Sequence, residues 1–392
     1  MLRTALWLAV TALVATAGCS VDHRDPAATP STPIQPTATS ARLTSRAPGP
    51  VQVRPVGVLA VPHSDIGPLA LTGHTAVFPL TEGGGPDWDS VGVFDADADT
   101  ERVVAHTDYP QGLINWAAGS GDWVAWVDQS RRQSDFDPNV LWRVHALNTG
   151  TGQQMLLASN GNRPDPFVPQ VHATGDWFYW TQAEPDRTAR EQIWTPSWAR
   201  PRALLRHTEM TPGSESVVDQ QLVYLGPAAT RHGAHTVGGD CWAVPLDRTG
   251  APTRLTDTAL AMGCAVSDTG ALVWSEHIDP RTRPLPDDGV LDDPYQLRTQ
   301  AFTNLGAATG DAKSRLLHRG YVSFGYPRAG HGFAAWQDVT GHVVLRSLDA
   351  AGQVRLPRGV DAITLTAAGD AIAYVTGRGA GTTLTVSTVT VR

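Results

Sequence analysis

The chain has little lysine, methionine or cysteine, and no excess of positive charge. Of its 30 basic residues only Lys313 is a lysine, and there are 4 Met and 3 Cys in 392 residues. A formal net charge of −8, with no basic cluster, excludes a phosphate-backbone surface, since nucleic-acid binding rests on clustered cations. No nucleic-acid partner is expected. The single lysine leaves one candidate for lysine-dependent chemistry. The sequence also lacks a Gly-x-Ser-x-Gly elbow, a His-Glu-x-x-His pair, a Walker loop and a Cys-x-x-Cys pair, which removes several enzyme classes.

What is abundant points to short strands and turns. With 41% hydrophobic and 17% charged residues, the chain can bury a sizeable core. Its 13 Trp, 38 Gly and 29 Pro suit pleated surfaces punctuated by turns better than long helices. The stretch Gly121-Asp122-Trp123-Val124-Ala125-Trp126-Val127-Asp128 sets the period. Gly175 to Trp180 restates it closely, and weaker copies end at Phe78, Tyr224, Trp274, Trp336 and Tyr374. Seven copies roughly 40 to 60 residues apart match the blade length of β-propellers. The expected fold is all-β, a seven-bladed propeller. Its last repeat supplies only three strands, near 362–365, 371–375 and 382–391, so a strand at Val51 to Val61 is expected to complete it and close the ring.

The N-terminus has its own organisation. Arg3, an apolar run from Ala5 to Ala15 too short to span a bilayer, and Thr16-Ala17-Gly18-Cys19 predict an export signal over residues 1–18. The Ala-Gly-Cys ending is similar to a bacterial lipobox, with Cys19 as the lipidated residue; the plainer alternative is a secreted protein in which Cys19 is incidental. Residues 19–50, rich in Pro, Thr and Ala, read as an extended tether. The propeller occupies 51–392. If Cys19 carries lipid, Cys241 and Cys264 form an even pair in an oxidising compartment. A disulfide stapling neighbouring blades is expected, the alternative being two buried thiols.

Candidate binding residues come from the connections that follow the aromatic strands. These vary most in length and emerge on one side of a propeller, around the mouth of the channel. The candidates are Trp88, Asp89, Arg131, Arg132, Asp135, Phe136, Arg187, His232, His235, Asp287, Asp288, Asp292 and Asp293. The charged run Glu184 to Glu191 is read as one of these loops. Any single one of these residues also has a plain reading as solvated loop surface. Trp88 or Phe136 would serve as a stacking platform for a small molecule or glycan. The Asp287-Asp288 and Asp292-Asp293 pairs would bind a cation or serve sugar cleavage if rigidly held. His232 and His235 have a metal-like spacing with only Asp240 as a third ligand nearby, so an exposed pair is expected and no metal. Asp95-Ala96-Asp97-Ala98-Asp99-Thr100 starts like a calcium loop but lacks its glycine and glutamate, and reads as a hairpin turn. Gly377 to Gly381 joins two strands and is read as a hairpin turn, not a phosphate loop.

The recurrent aromatic strand and the lipobox together resemble exported WD40-like or TolB-like β-propeller proteins, in particular actinobacterial propeller lipoproteins. The resemblance implies a lipid-anchored monomer on the extracytoplasmic face of the cell membrane that binds an envelope protein or glycan, without a cofactor. A carbohydrate-active hydrolase or lyase using loop carboxylates is the alternative.

Overall fold

The computed structural model describes residues 51–61, 66–82, 87–130, 140–161, 167–183, 189–207, 215–218, 220–227, 238–247, 251–277, 295–301, 314–320, 327–338, 342–358, 360–366, 368–377 and 381–392. All belong to one unit, Pro48–Arg392. Among them no helix is long and apolar enough to cross a membrane.

Each marker copy begins with a tight reversal into its aromatic strand. A two-residue hairpin turn needs a positive φ, which glycine adopts without steric cost. Gly121 (φ 55°) and Gly175 (φ 51°) supply it, while in the fourth copy Gln220 takes the same conformation (φ 59°). The reversal pairs the aromatic strand with a preceding inner strand, so the marker is the second strand of its blade. The first blade is β2 (Ala70–Thr72), β3 (Thr75–Leu80), β4 (Ser90–Asp95) and β5 (Thr100–His106); the second is β6 (Leu113–Ser120), β7 (Trp123–Gln129), β8 (Trp142–Asn148) and β9 (Gln154–Ser159). The third is β10 (Val171–Thr174), β11 (Trp177–Ala183), β12 (Ala189–Trp194) and β13 (Arg202–His207); the fourth is β14 (Ser216–Val218), β15 (Gln221–Gly226), β16 (Asp240–Pro245) and β17 (Thr253–Arg254). The fifth is β18 (Ala261–Val266), β19 (Ala271–His277), β20 (Tyr295–Ala301) and β21 (Arg315–Gly320); the sixth is β22 (Arg328–Gly330), β23 (Phe333–Gln337), β24 (Val343–Ser347) and β25 (Gln353–Arg355). The seventh combines β26 (Val360–Leu365), β27 (Ala371–Thr376) and β28 (Thr382–Val391) with β1 (Val51–Val61), in the order β1-β28-β27-β26.

The fold is therefore a seven-bladed β-propeller whose first strand closes its last blade, as the strand count in the sequence requires. Register runs from Val51 against Val391 to Val61 against Thr382. Closure is also visible in the core, because each junction between blades carries its own apolar cluster. Phe78 and Phe94 pack with Ala373 and Val386 where the seventh blade meets the first, and Trp142, Phe178, Trp180 and Trp194 fill the junction of the second and third. Cys241 of β16 and Cys264 of β18 form a disulfide, with Cα atoms 6.0 Å apart. It lies in the cluster between the fourth and fifth blades.

The turns between the outer strands behave as their residues suggest. Asp95 Oδ1 accepts from the amides of Asp97 and Ala98 (3.0 and 3.1 Å), and Asn148 Oδ1 accepts from those of Gly150 and Thr151 (3.0 and 2.9 Å). Side-chain oxygens thus satisfy amides that the turn leaves open. The Asp95 stretch is a hairpin turn between β4 and β5.

A second device recurs opposite the marker aromatic. In four blades its partner sits at a register shift: Gly92 opposite Phe78, His145 opposite Trp126, Gln192 opposite Trp180 and Arg298 opposite Trp274. A large ring needs room on the neighbouring strand, and a bulge re-aims the side chains beside it. A Cβ on Gly92 would meet the Phe78 ring at 2.6 Å.

Candidate functional site

Antiparallel pairing alternates the connections between two ends of every blade. First-to-second and third-to-fourth turns share one end. The second-to-third connections, and those leading to the next blade, start from the other. The longest connection, residues 278–294, and the 130–141 and 227–239 connections all leave from this second end. First strands of neighbouring blades approach each other, β2 with β6, β6 with β10, β14 with β18 and β18 with β22, and so line the axis.

Polar and aromatic side chains gather where these inner strands begin, at the end of the long connections. Trp116 comes from β6, His172 from β10, Glu215 from the residue before β14, and Arg328 opens β22. Each is partly exposed. Trp116 meets the His172 ring edge-on, with centroids 5.6 Å apart, and His172 stacks on Tyr179 at 5.5 Å. The Tyr179 hydroxyl donates to the Glu215 carbonyl at 3.1 Å. Behind them Glu191 of β12 is fully buried, its Oε2 accepting from the Thr181 hydroxyl at 2.8 Å. Glu191 Oε1 and His172 Nε2 are sealed from solvent without a hydrogen-bond partner.

The electrostatics follow from this burial. Burial, and then the charge of Glu215, push the Glu191 carboxyl well above the usual carboxylate range, against a smaller opposing effect of the Thr181 hydrogen bond. Burial, and then the Arg328 guanidinium, hold the His172 imidazole well below its ordinary range. Burial likewise raises the Tyr179 phenol. At neutral pH the mouth thus holds a neutral imidazole, the Glu215 carboxyl group and a guanidinium, beside an indole, with the buried Glu191 carboxyl behind them. These groups can hydrogen-bond and stack on a polar ligand.

Other buried acids at this end serve the fold. Asp240 Oδ1 accepts from the Ala259 amide (3.0 Å) and the Thr256 hydroxyl (3.2 Å). Glu276 accepts from the Trp274 indole (3.0 Å) and from Arg298. Asp338 accepts from the His342 amide (3.1 Å).

Of the residues singled out in the sequence, Trp88 and Asp89 lie in the described structure. Trp88 is half-buried and close to Gly67. Asp89 Oδ1 accepts from the Glu82 amide (3.0 Å) and the Ser90 hydroxyl (2.8 Å). Arg131, Arg132, Asp135, Phe136, Arg187, His232, His235, Asp287, Asp288, Asp292, Asp293 and Cys19 lie outside the described residues. Sequence reading missed Trp116, His172, Tyr179, Glu215 and Arg328. It placed Glu191 in a loop, whereas β12 begins at Ala189 and carries Glu191 into the blade junction. A cleft of about 270 Å³ lined by Thr72, Asp95, Arg102, Asp122 and Thr149 lies on the turn face, away from this cluster.

No protein-family model and no curated protein matches the chain. Among solved structures, the β-propeller domain of the Trilobed protease from Pyrococcus furiosus aligns over 80% of this chain and 91% of its own, at 9% identity and a TM-score of 0.53. An oligogalacturonate lyase in complex with manganese aligns over 87% of this chain and 94% of its own, at 12% identity and a TM-score of 0.55. At such identities the likeness concerns the propeller fold alone. The former is described as having an open velcro topology; here β1 is zipped to β28.

Proposed function

We propose that this propeller is a binding module held at the outer face of the cell envelope, tethered through a lipid on Cys19, and that its partner, an envelope protein or glycan, docks at the channel mouth on the long-connection face. The observation that carries the reading is the meeting of Trp116, His172, Glu215 and Arg328, from four different blades, at one opening. A rigid ring presenting convergent groups at its axis is a frequent way for such folds to hold a ligand. To test it, full-length wild type, Trp116→Ala and Arg328→Ala are immobilised and exposed to separated protein and glycan fractions of the host envelope. Retention by wild type and loss in both variants supports the reading; equal retention by all three refutes it.

A second reading rests on Glu191 and Glu215. A carboxyl whose pKa is raised beside another carboxyl group is an arrangement that acid–base cleavage of glycosidic bonds also uses. Release of reducing or unsaturated sugar ends from envelope polysaccharide, abolished in Glu215→Gln, would select a hydrolase or lyase. Binding without release selects the module.

A further inference from the structure

A separate cluster lies at the rim between the first and second blades, at the same end of the ring. Asp108 follows β5, Asp128 is near the end of β7, and His145 is in the middle of β8 at its bulge. One ligand atom from each lies within 4.8 Å of the other two. Asp128 is fully buried, its Oδ1 accepting from the Thr107 hydroxyl (2.5 Å) and its Oδ2 from the Asp108 amide (2.9 Å). Each of these oxygens keeps a second lone pair. The two carboxylates repel one another, and the charged neighbour present is the Arg143 guanidinium, whose Nη1 stands 3.7 Å from Asp108 Oδ2 and which also lies over the Tyr109 ring.

The second observation is His145. Its side chain is 7% exposed and its Nε2 lies 3.6 Å from Asp108 Oδ2, beyond a hydrogen bond. That buried nitrogen has no hydrogen-bond partner. The ring is held in place by stacking on Trp126, with centroids 5.2 Å apart and planes 14° from parallel. A buried nitrogen without a partner is costly, and here it points at two carboxylates on a fixed scaffold.

We propose that Asp108, Asp128 and His145 bind a Zn²⁺ ion. Two carboxylates and one imidazole match the nitrogen and oxygen ligands zinc accepts, whereas calcium takes oxygen ligands in larger number. Three protein ligands leave a fourth position for water or a ligand group. Asp128 and His145 lie on the paired strands β7 and β8, which flank residues 130–141 in sequence.

The test is calorimetric titration of the full chain with Zn²⁺, and separately with Ca²⁺. Wild type is expected to take up Zn²⁺ at this site and to gain several degrees in Tm, as a ligand bound only by the folded state requires. Asp108→Asn, at an exposed position, and His145→Gln are each expected to weaken that uptake by more than about ten-fold. Near-UV circular dichroism identifies any variant that has not folded, and Asp108→Asn keeps the test open if His145→Gln fails. A variant with His232→Ala and His235→Ala is expected to retain the uptake. Zinc bound equally well by Asp108→Asn and His145→Gln, zinc lost only with His232 and His235, or no uptake by wild type would each overturn the proposal.

Discussion

Replacing Glu191 with glutamine is expected to flatten the pH dependence of stability. Glu191 is fully buried with one hydrogen bond, from Thr181, and burial and the nearby Glu215 raise its pKa well above the ordinary 4.5. In the unfolded chain the same group ionises near that ordinary value. Between the two pKa values the folded state holds one more proton than the unfolded state. Stability from this group is therefore complete below the unfolded pKa and is lost as pH rises toward the folded one. One proton corresponds to a slope of at most about 1.36 kcal/mol per pH unit, so between pH 5 and pH 7 wild type should lose stability more steeply than the variant. Glutamine keeps the acceptor for Thr181 and carries no charge, so its contribution does not titrate. His172, whose lowered pKa acts in the opposite direction, is common to both proteins and cancels in the difference. The assay is urea unfolding followed by tryptophan fluorescence at pH 5, 6 and 7. Profiles for wild type and Glu191→Gln that run parallel would refute the reasoning. Glu215→Gln should give an intermediate slope, since it removes the second cause of the shift and leaves burial.

Two further perturbations probe the ring. Removing the disulfide with Cys241→Ala and Cys264→Ala, whose sequence separation is 23, should cost about 3 kcal/mol by the loop-closure relation; unfolding free energies of the pair and of wild type, unreduced, check it, and an unchanged value would contradict the staple. Deleting residues 51–61 exposes the whole edge of β28, an unpaired edge that other chains can join. Light scattering should then report concentration-dependent association together with a lower Tm, and a monomer with wild-type Tm would count against closure through β1.

The architecture was legible because its determinants are local and repeat. A glycine that permits the reversal, an aromatic that fills a junction and a three-strand final repeat each leave a mark in sequence, and the Cys241–Cys264 bond was expected from the pair that remains once Cys19 is set aside. The inner strands were harder to see, since β2, β14 and β22 are only three residues long. The channel mouth was not legible. Trp116, His172, Glu215 and Arg328 are distant in sequence and meet because the ring closes. Glu191 was hidden in a polar run that looks like a loop until its cross-strand pairing with Thr181 is known. One signal was available and unread: the marker aromatic is followed two residues later by an acid in Trp126-Val127-Asp128, Trp274-Ser275-Glu276 and Trp336-Gln337-Asp338. Because alternate strand residues share a face, this spacing sends a carboxylate into the same blade junction as the aromatic.

The most direct test of the binding face is site-specific photo-crosslinking of the full chain in its native envelope, with a photoreactive phenylalanine analogue placed either at Trp116 in the channel mouth, where it keeps an aromatic ring, or at Asp122 on the turn face. Adducts from position 116 that disappear with Arg328→Ala, and none from position 122, are the predicted result. Equal labelling from both faces, or adducts at 116 indifferent to Arg328, would contradict it.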